Sequence, residues 1–350
     1  MDPGLSDDIR SRARELLEEL GISRELRISE EFLAETIGLI RDDSNPLDLK
    51  IAAASVTEMR EAFRMFAPYR NVPKATIFGS ARTQPHDPLW EHTRRLAASL
   101  AEEGWMVVTG AGPGIMQAAM EGAGRAHSIG VSIRLPFEQG ANPVIAGDEK
   151  YVSMKYFFTR KLMLVKESHA FVCLPGGFGT LDETFELLTL TQTGKGLPVP
   201  IVFLDTPGDR YWETVHEFVE SQLIPRGLVS PGDTGLYFIT DSCDEAVAEI
   251  ERFYSNYDSI RYVGDDLVIR LRHEPTDAQL AELTSRFGHL VAEGEIRRTT
   301  PFSIERRQDD RLELHRIAFE FAKHGYSDLR AMIDMLNSFV PAPGATDPAD

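Results

Sequence analysis

Cysteine is scarce in this chain, with 2 in 350 residues, Cys173 and Cys243. They fall in different segments with no CxxC spacing. That excludes a disulfide framework and a cysteine-based zinc site, and it fits a reducing, cytoplasmic compartment. The 9 histidines are scattered without an HxxxH or HxH pair, so no metal-site signature is present. No apolar run reaches the roughly 18 residues of a membrane span. The opening "MDPGLSDDIRSRARELLEEL" lacks the basic-then-apolar order of a secretory signal. Positive charge is also short: 37 Lys and Arg face 55 Asp and Glu, a net charge of −18. Such a surface argues against nucleic acid or an anionic membrane as the partner. It still admits a small phosphorylated ligand, which needs only a local cationic site. The expectation is a soluble cytoplasmic protein without metal or cofactor.

What is present is hydrophobic patterning. Apolar residues make up 42% of the chain, enough for one large core with smaller attachments. Residues 1–70 read as a charged helical extension. "SDDIRSRARELLEELG" offers Ser6 as an N-cap and Gly21 as a stop, and "LDLKIAAASVTEMREAFRMF" is a second amphipathic stretch. Neither carries a chemical motif, and a helical collar on the main domain or on a second subunit is the plain reading.

Residues 71–257 alternate strictly. The strands are "KATIFGS", "WMVVTG", "GVSIRLP", "AFVCLPGG", "VPIVFLD" and "GLYFITD". The helices are "DPLWEHTRRLAASLAEEG", "GIMQAAMEGAGRAH", "KYFFTRKLMLVKES", "TLDETFELLTLTQTG", "RYWETVHEFVESQLI" and "CDEAVAEIERFY". Alternation with near-continuous apolar strands requires a doubly wound parallel sheet, a Rossmann-like α/β fold. Residues 258–340 break the alternation and read as a small α+β appendage. It comprises a strand "DDLVIRL", a helix beginning at Thr276, a hairpin of "IRRTTPFSIERRQ" and "RLELHRIAFEF" joined at "DD", and a closing helix "YSDLRAMIDMLNSF". Residues 341–350, rich in proline and acid, read as a disordered tail.

Ligands of open α/β sheets bind beyond the carboxyl ends of the strands. Four unusual segments end there or flank that edge. "FGSAR" offers a Gly-Ser turn, with the Ser80 hydroxyl and a cation at Arg82; an ordinary turn reads equally from it. "TGAGPGIM" places Gly110, Gly112 and Gly114 about a strand-to-helix turn, where free N–H groups and the helix dipole can hold an anion. Glycines there also serve tight packing. The spacing is not GxGxxG, and the next strand lacks a terminal acid, so a plain dinucleotide site is disfavoured. "LPGGFGTLDE" supplies Gly176, Gly177 and Gly179 for close backbone approach and Thr180 for a hydroxyl, together a phosphate cradle. Asp182 and Glu183 follow in what reads as the first helical turn, where a carboxylate either caps the helix or works on the ligand. "FFTRKLML" interrupts an apolar helix with Arg160 and Lys161. Neighbours on a helix diverge by about 100°, so one of them at most should face the site. A snorkelling surface pair is the other reading.

Taken together, these segments resemble the LOG family, the LONELY GUY cytokinin-activating enzymes and their bacterial relatives. "PGGFGTLDE" is similar to the PGGxGTxxE signature of that family, and the upstream Arg160-Lys161 pair and "TGAGPGIM" to its other motifs. The resemblance covers residues 72–255. "LPFEQGAN" resembles the longer bacterial branch, in which this loop contributes a glutamate and an asparagine to the nucleotide site, here Glu138 and Asn142. The resemblance implies hydrolysis of the N-glycosidic bond of a nucleoside 5′-monophosphate, AMP or an N6-modified AMP, to free base and ribose 5-phosphate. Glu183 and Arg160 would be catalytic. Ser80, Gly112, Gly114, Glu138, Asn142, Lys161, Gly176, Gly177, Gly179 and Thr180 would bind substrate. A homodimer or higher homo-oligomer is expected, as in relatives where neighbouring subunits complete each site. The alternative on the same fold is a non-catalytic nucleotide or molybdenum-cofactor carrier. The family's old decarboxylase label would need a Schiff-base lysine with pyridoxal context, which Lys161 lacks.

Overall fold

The computed structural model describes residues 3–42, 44–135 and 140–340. The disordered tail expected at 341–350 and Glu138 lie outside the described residues. The chain divides into two compact units, Met1–Phe63 and Arg64–Asp350.

In the first unit, α1 (Pro3–Glu19) packs against α2 (Leu26–Arg41). Ile9, Ala13 and Leu17, at the 3–4 residue spacing of one helix face, are buried. Ser6 is not the N-cap: α1 begins at Pro3 and Ser6 lies within it. Gly21 does end the helix, in the left-handed region at φ 70 that a side chain disfavours. A third helix, α3 (Pro46–Phe66), starts at Asn45, whose Oδ1 accepts from the Leu47 and Asp48 amides.

The second unit is built on a sheet of β1 (Lys74–Phe78), β2 (Met106–Thr109), β3 (Ser128–Ile133), β4 (Tyr151–Met154), β5 (Ala170–Cys173), β6 (Ile201–Leu204) and β7 (Phe238–Thr240). The order is β4-β3-β2-β1-β5-β6-β7, and every pairing is parallel. The intervening helices are α4 (Pro88–Glu102), α5 (Ile115–Ala123), α6 (Phe157–Lys166), α7 (Phe178–Gln192), α8 (Tyr211–Phe218) and α9 (Cys243–Phe253). β1, β2, β5 and β6 are buried at every position, which is why their sequences are continuous apolar runs. The edge strands β4 and β7 are less covered; in β4 burial alternates, so its "YVSM" gave no strand signal. Connections run outward in both directions from the centre. The switch point therefore falls between β1 and β5, where the crevice for a ligand opens.

The C-terminal strands form a second, antiparallel sheet in the order β10-β11-β9-β8. They are β8 (Tyr257–Val263), β9 (Asp266–Leu271), β10 (Arg297–Arg298) and β11 (His315–Glu320). One face is covered by α10 (Asp277–Phe287), whose Thr276 cap exchanges hydrogen bonds with Gln279, and by α12 (Tyr326–Ser338). The expected hairpin needs correcting. β10 and β11 do pair, but α11 (Ser303–Gln308) stands between them, so "DD" is not the turn. "SIERRQ" winds into a helix because Glu305, expected in a solvated strand, is fully buried. It sits 2.7 Å from Arg270 and 3.3 Å from Arg316. β8 was also missed, its seven residues holding only one in full burial.

Candidate active site

Ser80, just beyond β1, is the junction of two glycine turns. Its N–H donates to the Pro175 carbonyl at 3.3 Å, and its own carbonyl accepts from the Ile115 amide at 3.0 Å. Gly114 has φ 68, and a Cβ there would lie 2.3 Å from the Ser80 carbonyl oxygen, so the turn into α5 admits no side chain. Ala111 sits at φ 56, unusual for a residue with a Cβ. Its amide is held by Thr109 Oγ1 at 3.0 Å and its carbonyl by the Asn142 amide at 2.8 Å.

Asn142 is buried, and its side chain is engaged on the protein. Nδ2 donates to the Gly112 carbonyl at 3.1 Å, and Oδ1 accepts from the Val144 amide at 3.1 Å. What the geometry gives it is a hold on the Gly112 turn.

β5 leads through Pro175 and Gly176 into α7, whose N-cap is Gly177. Thr180 lies in the first turn, and its Oγ1 would stand 2.1 Å from a Cβ at Gly176, so the first glycine makes room for the hydroxyl. Cβ atoms built at Gly177 and Gly179 meet nothing within 4 Å; these two face open space. The first amides of a helix have no intrahelical acceptor. The α7 N-terminus thus presents N–H donors and the positive end of its dipole to the crevice.

Because α7 begins at Phe178, two residues before the expected start, Asp182 and Glu183 are not in its first turn, which holds no acid. The helix-capping reading of those carboxylates loses its geometric basis.

Arg160 reaches from α6 across the edge of the sheet. Its Nε donates to the Val131 carbonyl at 3.1 Å, and Nη1 lies 3.3 Å from Glu183 Oε1. A Cβ at Gly110 would fall 2.3 Å from Arg160 Nη2, so the glycine leaves the space the guanidinium fills. The Glu183 side chain is only 7% exposed. Its Oε2 is buried without a hydrogen-bond partner among the described residues. Burial pushes the Glu183 carboxyl up to about 7, against the pull of Arg160 and Lys161.

Lys161, next to Arg160 on α6, pairs with other acids of α7. Its Nζ lies 2.8 Å from both Asp182 and Glu186, one turn apart on α7. An ammonium held by two carboxylates favours its charged form, which is the wrong state for a Schiff-base nucleophile.

Sequence reasoning placed Gly110 in this turn without its role beside Arg160, and it missed Thr109, Ala111 and Tyr211. The Tyr211 hydroxyl donates to the Gly176 carbonyl at 2.8 Å. Its signal was available, since "RYWET" follows β6 directly and so must start at the same edge.

These features define a Rossmann-like α/β domain with a glycine-lined helix N-terminus and a buried Arg-Glu pair at its switch point. Residues 114–250 match the family model described as "Possible lysine decarboxylase". Cytokinin riboside 5′-monophosphate phosphoribohydrolase LOG1 of Arabidopsis thaliana is 28% identical over 147 residues, covering 42% of this chain and 66% of that protein, just under two thirds of its length. The probable phosphoribohydrolase LOGL3 of Oryza sativa subsp. japonica is 28% identical over 169 residues, covering 47% and 77%. Among solved structures, the molybdenum cofactor carrier protein of Chlamydomonas reinhardtii is similar at 20% identity with a TM-score of 0.36, covering 52% of this chain and 98% of that one. Over the matched residues the central domain is similar to LOG proteins.

Proposed function

We propose that this protein is a nucleoside 5′-monophosphate phosphoribohydrolase, cleaving AMP or an N6-modified AMP to free base and ribose 5-phosphate. The observation that carries this reading is the Arg160–Glu183 pair with its orphaned carboxylate oxygen, beside a glycine-lined helix N-terminus. Cleavage builds positive charge at the ribose C1′ and negative charge on the departing base. Glu183 Oε2 has no protein partner to compete with a cationic C1′ or an attacking water. Arg160 holds the other oxygen and fixes the carboxylate in place; always charged, it also balances the site as the base leaves. Gly176, Gly177, Gly179 and Thr180 receive the 5′-phosphate, and that remote binding orients the ribose. Ser80, Gly112 and Gly114 shape the opposite wall. Asn142 and Lys161 hold the walls in position. Glu138 is assigned to the substrate site by family resemblance alone.

The protein acts as a homodimer in this reading. Phe157, Phe158 and Leu162 on α6 and Phe178 and Phe185 on α7 are exposed, Phe178 at 94%. Exposed apolar side chains grouped on two adjacent helices mark an interaction surface. No helix among the described residues is long and apolar enough to cross a membrane. Both cysteines are buried and unbridged, which fits a reducing compartment.

The test is incubation with AMP and with adenosine, followed by chromatography. Adenine should appear from AMP alone. Comparable kcat/KM on adenosine would remove the phosphate cradle, and no cleavage of any nucleoside monophosphate would remove the activity.

A further inference from the structure

Gly176 and Gly177 share a peptide bond at the point where the cradle opens. A peptide flanked by two glycines has little steric resistance to flipping, because both sides tolerate φ and ψ values closed to other residues. A cradle that relies on the Gly177 N–H therefore needs that peptide plane held from outside. In a trans peptide, the carbonyl of one residue and the N–H of the next point in opposite directions. Every described peptide here is trans. Fixing the Gly176 carbonyl on one side thus aims the Gly177 N–H to the other.

Tyr211 makes that hold. Its hydroxyl donates to the Gly176 oxygen at 2.8 Å. The preceding peptide is held in the same manner by the Ser80 amide on the Pro175 oxygen at 3.3 Å. Tyr211 is the first residue of α8, and its ring meets that of Trp212 edge-on at 4.9 Å. Trp212 is fully buried and stacks on Phe203 of β6 with centroids 4.3 Å apart. Asp205, beyond the end of β6, accepts from the Trp212 amide at 3.0 Å and so anchors the start of α8 to the sheet. Burial raises the Tyr211 phenol above its ordinary value, so it stays a donor through neutral and mildly alkaline pH.

We infer that Tyr211, seated by Asp205 and Trp212, is a positioning residue that sets the direction of the Gly177 N–H and thereby the affinity of the cradle for a phosphate. This rests on the cradle assigned above but not on cleavage. A merely structural Tyr211 would leave phosphate affinity untouched in protein that stays folded.

The experiment measures ribose 5-phosphate binding by calorimetry and AMP turnover for the full chain and its variants. Tyr211→Phe removes one oxygen. It should weaken ribose 5-phosphate and raise the KM for AMP by about 5-fold, the loss expected of a single hydrogen bond, with kcat within about 2-fold. Asp205→Ala should move both quantities in the same direction, and Asp205→Asn, which keeps an acceptor for the Trp212 amide, should restore them. Because Asp205 acts through Tyr211, the double variant Tyr211→Phe/Asp205→Ala should be no worse than its weaker parent. Unchanged ribose 5-phosphate affinity in folded Tyr211→Phe overturns the inference, whether or not AMP is cleaved. Wild-type protein that binds no ribose 5-phosphate overturns the cradle and this inference together. Wild-type protein that binds it without cleaving AMP, with binding weakened in Tyr211→Phe, supports the inference and removes only the hydrolytic reading.

Discussion

Arg160 and Glu183 meet with Nη1 3.3 Å from Oε1 although they lie 23 positions apart in the sequence. They stand on consecutive helices, α6 and α7, joined only through β5. One strand and its two turns are enough to bring them together, so the pair is a local product of the parallel sheet. The pair also leaves Glu183 half-satisfied. Holding one carboxylate oxygen with a guanidinium while the other stays buried and bare is costly for stability and useful for a reaction that develops positive charge.

Glu183→Gln keeps size and hydrogen-bonding reach but removes the charge. AMP turnover should fall by on the order of 10²-fold or more, as for a group acting in the transition state, with AMP still bound. Asp182→Asn touches an exposed carboxylate whose partner, Lys161, keeps Glu186. Its effect should stay within about 3-fold, in line with the small worth of exposed pairs. Turnover and the thermal shift with AMP, measured on both variants, decide the matter. Full activity in Glu183→Gln, or equal losses in the two, would remove Glu183 from catalysis.

A pH profile follows from the same carboxyl, pushed up to about 7 by burial. In the proposed reaction it is the ionised form that faces the C1′ cation, so kcat/KM on AMP should rise with pH through about 7. Stability runs the other way. Between 4.5, the ordinary value, and about 7 the native state holds a proton that the unfolded chain has lost. Stability from this group is therefore full below the lower value and falls as pH rises toward the upper one. At about 1.36 kcal/mol per pKa unit, Glu183→Gln should stabilise the empty protein by on the order of 3 kcal/mol at pH 8 and change little at pH 4. Asp205, raised to about 6 by burial, adds its own slope, which cancels when the two proteins are compared at each pH. A variant less stable than wild type at pH 8 would show that the ion pair outweighs burial.

The central sheet was legible because both its faces are covered, so each of its main strands spells out its burial. Glu183 and Arg160 were legible as residues but not as a contact: family resemblance made both catalytic, and nothing in their spacing placed them together. β4 and β8 were not legible: an edge strand with alternating burial and a half-covered strand both look like polar chain. α11 was hidden because Glu305 reads as a surface residue until Arg270 and Arg316 enclose it. Tyr211 was legible by its place after β6 but not by its role. It acts on a backbone carbonyl, and a contact of that kind leaves no pattern in side-chain types.

Assembly is tested on the α6 face. Phe158 and Leu162 stand one helical turn apart and both are exposed. Light scattering should report a dimer at micromolar concentration, and Leu162→Asp should shift it toward monomer. A wild-type monomer under those conditions would sink the dimer.

The C-terminal segment is expected to support the fold and not the chemistry, and Arg330 on α12 separates the two. Its buried guanidinium lies 2.9 Å from Glu249 and 3.2 Å from Asp334, donates to the Val199 carbonyl and covers the Phe253 ring at 4.6 Å. Arg330→Ala leaves a buried Glu249 with Arg252 as its remaining partner and strips cover from an aromatic ring. Breaking such a buried pair costs about 3–5 kcal/mol, so the thermal midpoint should drop clearly. The same helix also touches the end of α7, where a Cβ at Gly194 would collide with the Tyr326 ring. A purely supporting role leaves kcat on AMP unchanged at a temperature well below the new midpoint. A kcat lowered there with KM intact would mean that the C-terminal segment sets the position of Glu183 through α7.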